Sequence, residues 1–186
     1  MLILLDQDGV LADFDAGFHA AWQQHYPHTV IPAREHRRSF YLLEDLPPHL
    51  REQAEALYTS PGFISNLPPV PGALEAWQAL ESMGFTLRIC STPLQQYENC
   101  VAEKYQWVEK HLGRAATRQL VLTADKTLVA ADLLIDDNPE ITGARAPTWE
   151  HVLFDAPYNQ TVVGKKRINW QNWRGVLAGV MYVGEY

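Results

Sequence analysis

Leu2-Ile3-Leu4-Leu5-Asp6-Gln7-Asp8-Gly9-Val10 stands at the start of the chain. Four apolar residues in a row, closed by Asp and Gly, read as a short strand buried on both faces, the form strands take in a parallel sheet. Residues i and i+2 of a strand face the same side, so Asp6 and Asp8 converge unless the chain turns. Gly9 allows a sharp turn just beyond them. Two acids at the carboxyl end of a central strand occupy the place where open α/β sheets hold their ligands. Two carboxylates that close repel, and one keeps its proton unless a cation is present; a bound Mg²⁺ would compensate both. A solvated Asp-Gly turn is the plain alternative for this stretch taken alone.

Beyond it, Ala16–Tyr26 carries Phe18, Ala21, Trp22 and Tyr26 at helical spacing. The next stretch lacks the look of a sheet core: Ile31-Pro32 is extended, Arg34–Arg38 is charged, and Phe40-Tyr41-Leu42-Leu43 is a short apolar patch. Pro47-Pro48 opens a helix reaching about Tyr58, and Ser60-Pro61-Gly62 stops it. Residues 15–72 therefore read as a small helical cap inserted after the first strand, with 1–14 and 73–186 forming the core. A helix from Ala73 ends at Gly84, and Thr86–Cys90 is a second strand running into Ser91-Thr92-Pro93. Val101–His111 is expected as a helix with Tyr105, Val108 and Leu112 inward. Leu120-Val121-Leu122, Leu133-Leu134-Ile135 and His151-Val152-Leu153-Phe154 are further strands, and Asn169–Met181 closes as an amphipathic helix bearing Trp170, Trp173, Leu177 and Val180. Lys165-Lys166-Arg167 reads as a solvated loop. Strands alternating with helices predict an α/β fold, a Rossmann-like, doubly wound parallel sheet.

With 186 residues, 47% of them hydrophobic, the chain suits one core with an insertion. A net charge of −7 argues against polymeric nucleic acid and anionic membrane as partners. Two cysteines, Cys90 and Cys100, are too few for a disulfide framework and fit a reducing compartment. No apolar run approaches a membrane span and no signal peptide precedes the first strand, so the cytoplasm is the expected location.

Four strands end in polar clusters: Asp6/Asp8, Ser91/Thr92, Lys126 and Asp136/Asp137. Gathered at one rim, these are the parts for phosphoryl transfer through an aspartyl phosphate. A metal and a lysine offset the charge of the nucleophile, and a second acid protonates the leaving alkoxide and then takes a proton from water. A hydroxyl holds a non-bridging oxygen, and an acidic pair on another strand completes a Mg²⁺ site. Each cluster alone has a plainer reading: turn residues before Pro93, a surface lysine, a helix cap at Asp136-Asp137-Asn138-Pro139.

In this order the motifs resemble the haloacid dehalogenase superfamily, and more closely its 5′(3′)-deoxyribonucleotidases. The likeness rests on Asp8-Gly9-Val10-Leu11-Ala12-Asp13-Phe14, Ile89-Cys90-Ser91-Thr92-Pro93, Glu103–Lys110, Leu122–Thr127, Ala131–Asp137 and Trp149–Phe154, and runs from Leu2 to about Asn159. It implies a Mg²⁺-dependent phosphatase for deoxynucleoside monophosphates, a small-molecule nucleotide being the partner, and a homodimer whose interface is not legible here. By position it implies Asp6 as nucleophile and Asp8 as general acid/base. Ser91 with Lys126 would hold the phosphate, Thr92 and Lys104 adding contacts, and Asp6, Asp8, Asp136 and Asp137 would hold the metal. Phe14, Phe40, Tyr41, Leu42 and Tyr58 match the base pocket, where stacking is worth about 1–3 kcal/mol per base. An apolar wall facing a 2′-hydroxyl would favour deoxyribose. Three departures bear on nucleotide preference: Gln7 replaces an apolar residue, Tyr41 and Tyr58 stand where some relatives have Trp, and Asn138 stands where mammalian relatives have Arg. A phosphatase for another small ester is the neighbouring reading. A phospho-accepting receiver module is the distant one, but its acidic pair precedes its phosphorylated Asp, whereas here the pair comes late.

Overall fold

In a computed structural model describing residues 1–181, and the side chains of 1–179, six strands form one all-parallel sheet ordered β3-β2-β1-β4-β5-β6. The strands are β1 (Leu2–Leu5), β2 (Thr86–Ser91), β3 (Leu120–Leu122), β4 (Leu133–Asp136), β5 (Glu150–Phe154) and β6 (Arg167–Ile168). β1 lies between β2 and β4, with Leu5 opposite Ile89 on one side and Ile135 on the other. Its last three residues are fully buried, which is why it reads as an unbroken apolar run. The order reverses direction at β1, so the carboxyl ends of β1 and β4 form the switch point where such sheets open a crevice.

The sheet's two faces are covered differently. Ile3, Leu5, Leu87, Ile89, Leu133, Ile135, Val152 and Phe154 join the main core, which receives α1 (Phe14–His25), α3 (Arg51–Tyr58), α4 (Ala73–Ser82), α5 (Tyr97–Leu112) and α6 (Trp173–Met181). Leu4, Cys90, Leu134 and Trp149 form a second cluster with Val129, Ala131 and Ile141. Right-handed crossovers explain the split: reversing the direction of strand addition carries the β3–β4 and β4–β5 connections over the opposite face. Among the described residues those connections hold no α-helix, only a 3₁₀ turn at Lys126–Leu128 and loop. The expected alternation of strand and helix therefore holds from β1 to β3 and gives way to a loop layer beyond.

Between β1 and α4 lies a helical stretch: α1, α2 (Leu42–Asp45), α3 and short 3₁₀ turns. α1 starts at Phe14, two residues before the expected start, because the Asp13 carboxylate caps it by accepting the Ala16 N–H at 2.9 Å. The stretch enters and leaves through a paired neck, with Asp13 N–H donating to Pro68 O at 2.7 Å and Val70 N–H to Leu11 O at 2.8 Å.

Three expectations need correction. The inward face of α5 carries Cys100, Glu103, Lys104, Trp107 and Val108, whereas Tyr105 is 40% exposed. Val108 and Leu112 pack on the core as expected and Tyr105 does not, because part of the inner face is taken by Glu103 and Lys104, which meet polar partners. The last helix begins at Trp173, because Asn169 Oδ1 accepts the N–H groups of Gln171 and Asn172, each at 3.0 Å, and holds the preceding residues in a turn; the Val180 side chain lies outside the described residues. The basic run Lys165–Arg167 is tied down: Arg167 opens β6, Lys166 pairs with Glu150 at 3.0 Å, and Lys165 donates to His151 Nδ1 at 2.8 Å and Pro139 O at 2.7 Å. Burial and the nearby Lys165 charge push the His151 imidazole down to about 4. Nδ1 then accepts from Lys165, and Nε2–H donates to Asp136 O at 3.3 Å.

Candidate active site

Asp6 follows β1 directly, and the chain turns over residues 7–12 through N–H bonds from Leu11 and Ala12 to Gln7 O at 2.9 and 2.7 Å. Gly9 sits in that turn with φ +80°. A Cβ there would also lie 2.0 Å from Asp137 Oδ2. Only glycine meets both demands, and its bare backbone lets the acid from the end of β4 come up beside the first turn.

Three carboxylates converge at this point. Asp6, Asp136 and Asp137 are buried, and each offers an oxygen within 4.8 Å of the others. Lys126 joins them, its Nζ 2.5 Å from Asp136 Oδ2 and 3.0 Å from Asp6 Oδ1. Burial opposes the charge on Lys126, but Asp136 and Asp6 outweigh it and raise its pKa. Burial lifts Asp136 to about 6 against the pull of Lys126. Asp137 is held well above the usual carboxylate range by burial and by repulsion from Asp136 and Asp6.

A divalent cation fits this donor set. Three ionised acids against one lysine would leave two uncompensated negative charges in a buried site, which is what holds Asp137 toward its protonated form and what a cation would relieve. Asp137 Oδ1 is buried without a hydrogen-bond partner, a costly state for a carboxylate oxygen unless a cation takes it up. Its other oxygen, Oδ2, accepts a short hydrogen bond from the Tyr158 hydroxyl.

Asp8 stands on the other side of the turn. Its Oδ2 accepts from Lys104 Nζ at 2.5 Å, and its Oδ1 is buried and unpartnered. The same Nζ donates to Ser91 Oγ at 2.9 Å. Ser91 thus bonds to Lys104, fully buried on α5, while Lys126 pairs with the acids.

These groups open into a cavity of about 630 Å³. Asp6, Asp8, Ser91, Thr92, Lys126, Asp136 and Asp137 line its inner end, and Phe14, Phe40, Tyr41, Leu42 and Tyr58 its outer wall. Lys104 alone of the sequence-predicted residues does not line it and acts from behind Asp8 and Ser91. The wall is an aromatic array: Phe14 packs on Tyr58 at 5.9 Å and on Phe63 at 5.4 Å between centroids, while Tyr41 is 64% exposed at the mouth. Among the lining residues that the sequence reading did not place in the site are Arg37 and Tyr158. Arg37 is buried in the helical stretch, paired with Asp15 and with Asp45 at 3.4 Å, and its guanidinium lies 4.6 Å over the Tyr158 ring. No local pattern marks either residue, since a charged run and a Pro-Tyr-Asn turn are ordinary surface features.

A family profile described as "5' nucleotidase, deoxy (Pyrimidine), cytosolic type C protein" matches residues 1–181. A Bordetella pertussis protein, provisionally named a 5′(3′)-deoxyribonucleotidase, is 60% identical over 98% of both chains. The human cytosolic-type 5′(3′)-deoxyribonucleotidase is 40% identical over 94% of this chain and 92% of its own. The human mitochondrial one is 43% identical over 94% and 81%. Among solved structures, a haloacid dehalogenase family hydrolase of Deinococcus radiodurans, crystallised with phosphate and sodium, superposes with a TM-score of 0.60 at 14% identity, covering 97% of this chain and 96% of that one. That likeness places the sheet in the haloacid dehalogenase fold. No helix among the described residues is long and apolar enough to cross a membrane.

Proposed function

The chain belongs to the cytosolic type C family of deoxy(pyrimidine) 5′-nucleotidases, and from that premise we propose that it hydrolyses deoxyribonucleoside 5′-monophosphates, and 3′-monophosphates as a second class, with Mg²⁺ through a phosphoryl group carried on Asp6. The observation that carries the reading is the meeting of Asp6, Asp136, Asp137 and Lys126 in a cavity that aromatic side chains also line. Residues 15–72 act in it as a cap that supplies Phe40, Tyr41, Leu42 and Tyr58 to the wall, beside Phe14 from the core of 1–14 and 73–186.

Asp6, Asp136 and Asp137 would hold the cation, with Asp8 beside them, and when bound it neutralises carboxylate and phosphate charge as the nucleophile approaches phosphorus. Asp6 is held through Oδ1 by the Gln7 N–H at 2.8 Å and by Lys126, which fixes the carboxylate for attack. The Asp6–phosphorus bond forms as the ester oxygen leaves, and Asp8 gives that oxygen its proton. Asp8 then takes a proton from a water that attacks the aspartyl phosphate, releasing inorganic phosphate and restoring both acids. Its unpartnered Oδ1 suits it to that exchange, while Oδ2 is fixed by Lys104. Ser91, Thr92 and the lysines supply donors for the non-bridging oxygens.

The test is phosphate release across deoxy- and ribonucleoside monophosphates, with Mg²⁺ and with EDTA. Deoxynucleotide turnover that needs Mg²⁺ is the expected result, and turnover confined to sugar or amino-acid phosphates would overturn the nucleotidase reading. Asp6→Asn is expected to remove turnover at least 10⁴-fold, on the order of a lost nucleophile, with an unchanged melting curve.

A further inference from the structure

We infer that Tyr158 is a positioning residue that aims Asp137 at the divalent cation, an inference that rests on the metal-binding part of the proposed function. Tyr158 lies in the Pro157–Asn159 turn after β5, and this one turn grips Asp137 at both ends. The Tyr158 hydroxyl donates to the carboxylate at Oδ2, and the neighbouring Asn159 donates Nδ2–H to the Asp137 main-chain oxygen at 2.9 Å. Asn159 is itself anchored, giving a second N–H to Phe154 O at 2.8 Å and receiving the Ala156 N–H at 3.1 Å.

With backbone and Oδ2 both fixed, Asp137 has one free oxygen. That oxygen is Oδ1, buried and unpartnered, on an acid that groups with Asp6 and Asp136. A carboxylate free to rotate would spread its two oxygens over many directions, and a donor on Oδ2 leaves Oδ1 in a single one. Such outer hydrogen bonds commonly change metal affinity 10–100-fold when removed. Tyr158 is itself held from above, between the Arg37 guanidinium and the edge-on Phe40 ring at 6.0 Å. The loop that lends Phe40 to the cavity wall therefore also fixes the donor to the cation-binding acid.

The experiment titrates Mn²⁺ into the metal-free full chain without nucleotide, by calorimetry and by the EPR signal of free Mn²⁺. Tyr158→Phe keeps the ring under Arg37 and removes only the hydroxyl. A Kd for Mn²⁺ at least tenfold above the unsubstituted chain is expected, together with a smaller rise in Tm on adding Mn²⁺. The variant's metal-free Tm is expected to stay within about a degree of the parent's, because the packed ring is kept. An unchanged Kd in Tyr158→Phe overturns the inference and leaves the nucleotidase reading standing. An affinity that falls in step with a lowered metal-free Tm overturns it as well and assigns Tyr158 to packing. An unsubstituted chain that binds no Mn²⁺ would remove the inference and the metal site together.

Discussion

At the scale of single residues, Gly9 carries the most constraint per atom. Its φ of +80° is strained for any L side chain, and the Cβ it lacks would stand 2.0 Å from Asp137 Oδ2. Neither demand can be relieved cheaply, because the intruded atom belongs to a buried carboxylate gripped by Tyr158. Gly9→Ala is therefore expected to cost about 1–3 kcal/mol of stability from backbone strain, and to weaken divalent-ion binding by displacing the acid. Thermal melts with and without Mg²⁺ check both parts: a variant whose Tm rises on Mg²⁺ as much as the parent's would show that Asp137 had room to give. The turn itself was legible in the sequence, since Asp-Gly after an apolar run announces it. The close approach was not, because it depends on where β4 delivers its last residues.

Among the elements, α5 does more than its apolar pattern announced. Glu103 on its inner face accepts N–H groups from Gly62, Ile64 and Ser65 at 2.6, 2.9 and 3.2 Å, and Trp107 Nε1–H donates to Leu67 O at 2.8 Å. One turn of helix thus holds the end of the helical stretch, while adjacent Lys104 reaches Asp8 and Ser91. In Glu103→Gln one acceptor oxygen becomes an NH₂ facing a backbone N–H, leaving buried donors unmet at a cost of about 2 kcal/mol. For a chain of this length that corresponds to a Tm lower by roughly 4–8 °C, read by calorimetry; a shift under a degree would show the loop needs no such acceptor. A hydrophobic count could not find the whole of this face, because Glu103 and Lys104 are buried through hydrogen bonds beside the apolar Cys100, Trp107 and Val108. The same limit hid β6, a two-residue edge strand inside a basic run, and hid the loop layer over Leu4, Cys90 and Leu134. Strands β1 to β5 were legible because burial on both faces writes them as short apolar runs.

Over the whole molecule, the acids and lysines and the aromatic side chains line one cavity and come largely from different parts of the chain. The acids and Lys126 stand just past the ends of strands, where sequence order announces them, whereas the wall comes from helices and the loop before α2, whose aromatics read equally well as ordinary core. Arg37 and Tyr158, which join the two sets, were invisible in the sequence because only the folded neck and sheet bring them together. This separation makes the two sets independently testable. Tyr58 closes α3 and packs against Phe14 at 5.9 Å on the cavity wall, and no hydrogen bond or ion pair links its side chain to the acids. If that wall stacks a base, Tyr58→Ala should forfeit about 1–3 kcal/mol of binding to a deoxynucleoside monophosphate, a rise in KM of roughly 5- to 150-fold. A small alkyl phosphate, which reaches only the acids, should keep its KM within about twofold, and kcat should hold for both substrates because the acids are untouched. Equal losses on the two substrates would mean that Tyr58 supports the site's framework instead of contacting a base, and the aromatic wall would then owe its place to packing.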